Sequence, residues 1–189
     1  MIKKISLKYF RYLFLLLAQS ILGSFTFAGP GEGLGLFADI GQVKAVNYNT
    51  GKEYQESKVF GGQIDYQFAL GESLSFLLFA AENANVGSLP KKKEYEYYKA
   101  GILGAELRLW LGLLYIGIHG GQYYLTWIES MSSYSGISWS GGTGFGLGLE
   151  GESGWSLGVY SEISEKIDFK DLPDQRAEGT RIIVGYRWQ

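Results

Sequence analysis

The sequence predicts an all-β protein: an eight-stranded antiparallel up-and-down transmembrane β-barrel, preceded by a cleavable signal peptide. Three observations predict it. Apolar residues alternate with small or polar ones at period two along nearly all of the chain beyond its first 28 residues. Glycine, at 28 residues, stands at about twice its usual share of roughly 7%, and aromatics make up 16%. Glycine costs a helix about 1 kcal/mol per site, whereas aromatics favour pleated surfaces. Finally, tight glycine-bearing turns alternate with longer polar connections, which is the asymmetry of a membrane barrel.

The chain opens with a basic segment, Lys3, Lys4, Lys8 and Arg11, followed by an apolar stretch from Tyr12 to Leu22 broken by Gln19 and Ser20. Thr26-Phe27-Ala28 then offers a small-x-small cleavage site before Gly29, so residues 1–28 read as a signal peptide. A spanning helix would need about 20 apolar residues, more than this run supplies. Residues 29–189 remain for one barrel domain. The leader holds four of the 17 basic residues and no acid, so 13 basic against 19 acidic residues leave the remainder at a net charge of −6. That balance argues against a nucleic-acid partner. Cysteine is absent, which removes disulfides and thiolate metal sites.

Eight runs carry the alternation: about Gly33–Val46, Val59–Leu70, Leu74–Glu82, Tyr98–Trp110, Leu113–Trp127, Ser140–Glu150, Trp155–Ser164 and Thr180–Trp188. Most have the length of a tilted membrane strand, about 9–11 residues. Gly71-Glu72-Ser73, Leu111-Gly112 and Gly151 to Gly154 read as hairpin turns. The longer connections, Asn47–Lys58, Asn83–Tyr97, Ile128–Trp139 and Glu165–Gly179, read as loops on the opposite side.

The two faces differ in kind. Ile64, Tyr66, Phe68 and Leu70 alternate with Gln63, Asp65, Gln67 and Ala69; Phe145, Leu147 and Leu149 alternate with Gly144, Gly146, Gly148 and Glu150. The fourth and seventh runs repeat the pattern, with Leu103, Ala105, Leu107 and Leu109, and with Trp155, Leu157, Val159 and Ile163. A soluble barrel of lipocalin or avidin type would expose the polar set and build it from long charged side chains. Here that set is mostly glycine and small residues, which suit a narrow lumen where large side chains interleave. The apolar set therefore faces lipid. Leu77 and Phe79 are expected inside, and Gln122 on the outer face near the rim. Tyr66, Phe68, Trp110, Trp155, Tyr186 and Trp188 fall near the turn end, and Tyr97, Tyr98, Tyr124, Trp127 and Trp139 near the loop end, as two interfacial girdles.

In the last run Ile182, Val184, Tyr186 and Trp188 form one apolar face ending in an aromatic residue, followed by Gln189. This resembles the C-terminal signal by which the outer-membrane insertion machinery recognises its clients. With that strand, the leader and the eight-run rhythm, residues 29–189 resemble the small outer-membrane barrels of the OmpX/Ail group and the OmpA transmembrane domain. The resemblance implies a monomer in the bacterial outer membrane, handled by periplasmic chaperones and the insertion machinery, surrounded by lipid and lipopolysaccharide. It implies roles in adhesion, surface interaction or envelope integrity, with an extracellular partner met through the loops, and no cofactor. The loops carrying Tyr48–Lys58 and Lys91–Tyr97 are the expected contact surfaces.

The face assignment points Asp39, Asp65, Glu106, Arg108, His119, Glu150, Glu162 and Arg187 into the lumen. Mixed signs inside a narrow barrel are expected to pair, since an isolated buried charge is strongly disfavoured. The alternative, a conducting path for small solutes, needs water that eight strands leave little room for. His119 is the sole histidine, so a lipid A-modifying hydrolase or transferase would depend on it. Its context, Ile118-His119-Gly120-Gly121-Gln122, lacks the serine two residues on, and its inward mid-membrane position is wrong for outer-leaflet chemistry. Gly141-Gly142-Thr143-Gly144-Phe145-Gly146 lacks the Lys-Ser/Thr of a phosphate loop and reads as a strand. Lys91, Lys92 and Lys93 form a basic run beside Glu94 and Glu96 that reads first as a solvated loop, with contact to lipopolysaccharide phosphates as the functional alternative.

Overall fold

The computed structural model describes residues 30–85, 95–129, 132–168 and 174–189; residues 1–28, where a signal peptide is expected, and Lys91–Lys93 lie outside the described residues. Eight strands run β1 Gly33–Asn47, β2 Glu53–Ala69, β3 Leu74–Asn85, β4 Tyr95–Leu111, β5 Leu114–Glu129, β6 Ser132–Glu150, β7 Trp155–Ser164 and β8 Gln175–Trp188. Each pairs antiparallel with its sequence neighbours, and β8 closes on β1. Every run predicted from the alternation is present. The strands differ from the prediction at the loop end, where Glu53–Lys58, Tyr95–Tyr97, Ser132–Trp139 and Gln175–Gly179 continue the sheet. Polar residues on both faces hide a strand from a period-two reading, yet backbone pairing continues where water replaces lipid.

The register fixes the shape. Followed across the hydrogen-bonded pairs from Leu149 through Leu157, Val184, Ala38, Gly62, Glu82, Gly101 and Tyr124, the path returns to β6 at Trp139, ten residues from its start. Such a stagger tilts the strands by roughly 35–45° and leaves an interior that side chains can fill. Gly112 (φ 67°) and Gly154 (φ 88°) take left-handed conformations in the tight turns, which glycine adopts without a Cβ clash.

The alternation holds in three dimensions, with apolar side chains outside. Leu36, Ile40, Ile64, Leu78, Leu107, Leu147 and Ile182 are all exposed, and Leu103 and Ile118 reach 62% and 65%. An apolar wall of this extent has no place in water. On β2 the outward residues from Phe68 to Phe60 are apolar or glycine, and eight residues at ~3.3 Å each, tilted by roughly 40°, rise about 20 Å. Aromatic rings gather at the turn end, with Tyr66 beside Phe68 (4.8 Å between centroids) and Tyr186 between Trp155 (5.5 Å) and Trp188 (5.3 Å). At the loop end Tyr124 packs on Trp139 at 5.0 Å. Trp110 is a correction: it points into the lumen, 5% exposed, and its indole N–H donates to Ser75 Oγ at 2.8 Å. It shares the parity of Arg108, and that parity decides its side.

Leu107→Arg is expected to lower stability by roughly 2–4 kcal/mol, the cost of a charge on the lipid face, and to impair assembly far more than Leu107→Ala. Urea unfolding in lipid vesicles, with gel mobility before and after boiling, measures both; equal behaviour of the two variants would contradict an outward Leu107.

Candidate functional site

The inner face is built by one rule: large side chains lie over glycines of neighbouring strands. A Cβ at Gly146 would meet the Tyr160 ring, one at Gly148 the Tyr115 ring, one at Gly117 the Glu106 carboxylate and one at Gly144 the His119 imidazole. The lumen is thus filled in register. All eight predicted lumen residues face inward, and a ninth, Arg181, joins them. Arg181 shares the parity of Arg187 on β8, and that parity is the sequence signal that places it inside.

Near the turn end, two guanidiniums organise the network. Arg187 on β8 donates to Asp65 of β2 at 2.5 Å, to both carboxylate oxygens of Glu150 on β6 at 3.3 Å, and to the Gly33 carbonyl at 3.1 Å. Arg108 on β4 donates to Glu106 (2.9 and 3.2 Å), to Gln67 Oε1 of β2 (3.1 Å) and to the Tyr160 hydroxyl of β7 (2.7 Å), and stacks 4.1 Å over the Tyr115 ring. Its Nη1 lies 4.0 Å from Glu150. Gln63 donates to Asp65 at 3.0 Å. The bonds from Arg187 to Asp65 and Glu150, and from Arg108 to Gln67 and Tyr160, join strands that are not neighbours in the sheet.

Higher in the lumen, Arg181 donates to Asp39 at 3.1 Å and to Glu162, and the Asn83 carboxamide, turned with its nitrogen toward Asp39, donates to the same carboxylate. His119 lies edge-on to Phe79 (5.7 Å) and 3.6 Å from Glu162, and its ring nitrogens make no hydrogen bond among the described residues. Phe37, Trp110, Tyr115, Tyr160 and Ile183 pack as an apolar cluster among the charged groups. Above the second layer, Val43, Ala45, Val59, Leu125, Ile167 and Ala177 form an apolar cap. Ile167 comes from the β7–β8 connection, held to Gln175 by a pair of backbone hydrogen bonds of 2.7 and 3.2 Å. A cavity of about 20 Å³, bounded in part by Val43, Asn83, Tyr123, Leu125 and Glu162, separates cap from charges. At the loop end Lys166 bridges Asp168 and Asp174 at 3.0 Å each. Hydrogen bonds to these carboxylates hold its ammonium above the usual lysine range, and the bond from Lys166 holds Asp174 below the usual carboxylate range.

Among the described residues no cluster of His, Cys, Asp and Glu is arranged to hold a metal. A Ser–His–acid hydrolase would have to use His119, the sole histidine, which lies on the inner face at 5% exposure. The arrangement can brace the wall and block the lumen.

A closed eight-strand cylinder, apolar outside and ion-paired inside, defines a small β-barrel of the bacterial outer membrane. Solved structures of that class are its likenesses. The chain superposes on Ail, the attachment invasion locus protein of Yersinia pestis, with a TM-score of 0.58 and 16% identity, over 84% of this chain and 100% of that one. It superposes on neisserial surface protein A with a TM-score of 0.56 and 16% identity over the same shares. Ail in complex with the heparin analogue sucrose octasulfate gives a TM-score of 0.56 at 14% identity, again over 84% and 100%. The likeness is one of fold. No protein-family model matches the sequence, and no curated protein does.

Arg187→Met is expected to destabilise the barrel by roughly 3–5 kcal/mol, because among the described residues the buried Asp65 keeps only the neutral Gln63 donor and Glu150 only the 4.0 Å contact with Arg108. The triple variant Arg187→Met, Asp65→Asn, Glu150→Gln is expected to recover most of the loss. Urea midpoints in vesicles read this, and a single variant as stable as the parent would exclude the network as a brace.

Proposed function

We propose that this chain is a non-enzymatic outer-membrane barrel whose lumen is a permanent polar plug, and whose loop end makes the contacts that serve adhesion, surface interaction or envelope integrity. The observation that carries the reading is the lumen itself. Arg108, Arg181 and Arg187 tie Glu106, Glu150, Asp65, Asp39 and Glu162 across the interior, and the apolar cap with Ile167 lies over them. A solute would have to break several buried charge-assisted bonds and cross an apolar layer, so conduction is disfavoured at two levels. An enzyme is disfavoured because His119 turns away from lipid. For contact roles, the fold shared with an attachment protein, Ail, supports a surface function. The contact surfaces of this reading are the segments Tyr48–Lys58 and Lys91–Tyr97. Lys91, Lys92 and Lys93 supply point charges for lipopolysaccharide phosphates.

Purified protein in planar bilayers is expected to give flat current traces under applied voltage, and lipid A from a deletion strain is expected to match its parent by mass spectrometry. Regular single-channel steps would remove the plug; a shifted lipid A mass would remove the non-enzymatic reading. Reversing the charge of Lys91–Lys93 to glutamate is expected to weaken lipopolysaccharide binding in low salt, and unchanged binding would remove that contact.

A further inference from the structure

Toward the loop end, outward side chains on β8 and β1 change character in three steps; β6 and β7 share the first two, with Phe145 below Thr143 and the exposed Ile163 above Ser161. Leu147, Val159, Ile182 and Ile40 are apolar. Above them stand Thr143, Ser161, Thr180 and Gln42, and above these the paired charges Lys44, Glu178 and Arg176. Ser161 pairs across the sheet with Thr180, and Thr180 with Gln42, so the middle step is continuous over three strands. At the top, Lys44 contacts Glu53 at 3.0 Å and Glu56 at 3.7 Å, and Arg176 contacts Glu178 at 2.6 Å.

The middle step lines a groove of about 570 Å³, flanked by Phe145 and Ile163, where Gly144 and Gly179 thin the wall. That volume falls in the range of small-molecule sites, roughly 300–1,000 Å³, and a convex barrel wall does not supply such a hollow by itself. Elsewhere on the wall Phe60 and Leu103 present bulky apolar groups, 57% and 62% exposed.

The geometry points to a site for the sugar–ester region of an outer-leaflet glycolipid, in the groove lined by Gln42, Thr143, Ser161 and Thr180. This inference rests on the membrane placement of the barrel. Three hydroxyls and a carboxamide both donate and accept hydrogen bonds, which matches sugar hydroxyls, amides and ester carbonyls. The apolar step below receives acyl chains. The charged rim above carries Glu53, Glu56 and Glu178 against Lys44 and Arg176, and the hydroxyls and carboxamide below it are what separate a sugar headgroup, which can bond them at several points, from a phospholipid headgroup. The order of the three steps is the order in which a glycolipid changes from chain to linkage to headgroup.

The test uses the folded full-length protein in detergent micelles, offered lipid A, phosphatidylcholine or phosphatidylglycerol, with retained lipid counted by native mass spectrometry. The parent is expected to keep lipid A and lose both phospholipids. The near-isosteric variant Thr143→Val, Ser161→Ala, Thr180→Val is expected to keep lipid A about tenfold less well, the effect of one to two net hydrogen bonds. Its changes add apolar surface to a lipid-facing wall, and gel mobility before boiling reports that it is folded. Equal retention by parent and variant, or equal retention of either phospholipid, would overturn the groove assignment. A parent chain soluble without detergent, with no heat-dependent mobility, would overturn the membrane placement and the groove together.

Discussion

Closure of β8 on β1 is the constraint from which the other features follow. In a hydrocarbon layer each unpaired backbone N–H or C=O costs several kcal/mol, so a sheet can cross only if it has no edge. The fourteen-pair seam from Leu34–Trp188 to Asn47–Gln175 removes that edge. Closing eight strands with a stagger of ten leaves a bore about as wide as two facing side chains, and the interior must then be filled rather than hollow. That is why glycine is so frequent: each of Gly117, Gly144, Gly146 and Gly148 sits where a partner strand sends in a carboxylate, an imidazole or a phenol ring. The apolar exterior and the packed polar interior are two consequences of one geometry.

Filling the bore with charges is less obviously favourable, since desolvating an ion pair commonly outweighs its Coulombic attraction. What the charges add is specificity of register. Arg108 of β4 is bonded at once to β2 and β7, and Arg187 of β8 to β2 and β6. A one-residue slip of any of these strands would turn its donor outward and strand its partners inside. The apolar cluster of Phe37, Trp110, Tyr115, Tyr160 and Ile183 then excludes water from the bonds, which strengthens them.

Strand number, strand order and the facing of most residues were legible in the sequence because lipid and a tight lumen impose opposite demands at period two. Leu77, Phe79 and Gln122 illustrate this: the first two are buried inside and the third is exposed, as alternation alone requires. Trp110 lies at a strand end, where an interfacial ring is expected, but its parity with Arg108 overrides that position and turns it inward. Partners within the lumen were not legible. Arg181 meets Asp39 across a separation of 142 residues, and a diagonal contact of that kind depends on the stagger, which no local pattern encodes. The strand extensions escaped notice for a related reason. Ser132-Ser133-Tyr134-Ser135-Gly136-Ile137-Ser138-Trp139 is rich in serine at both parities, so its sequence offers no contrast between faces to read.

The loop end also sets how deep the barrel sits. An apolar belt of about 20 Å, from eight residues on tilted strands, is short for an average bilayer of roughly 30 Å and suits the thinner bacterial outer membrane. At its upper limit the wall changes to hydroxyls on one arc and to Glu82, bonded by the Tyr124 hydroxyl at 2.6 Å, on the other. Sinking the barrel by one residue pair would drive Glu82, Gln122 and Thr180 into hydrocarbon; raising it would lift Phe60 and Leu103 into water. Both moves are opposed, so the depth is held from both directions. The inward cap residues Val43 and Ala177 alternate with Gln42, Lys44, Arg176 and Glu178 of that same step, so the apolar layer inside the barrel lies at the height where the outer wall turns polar.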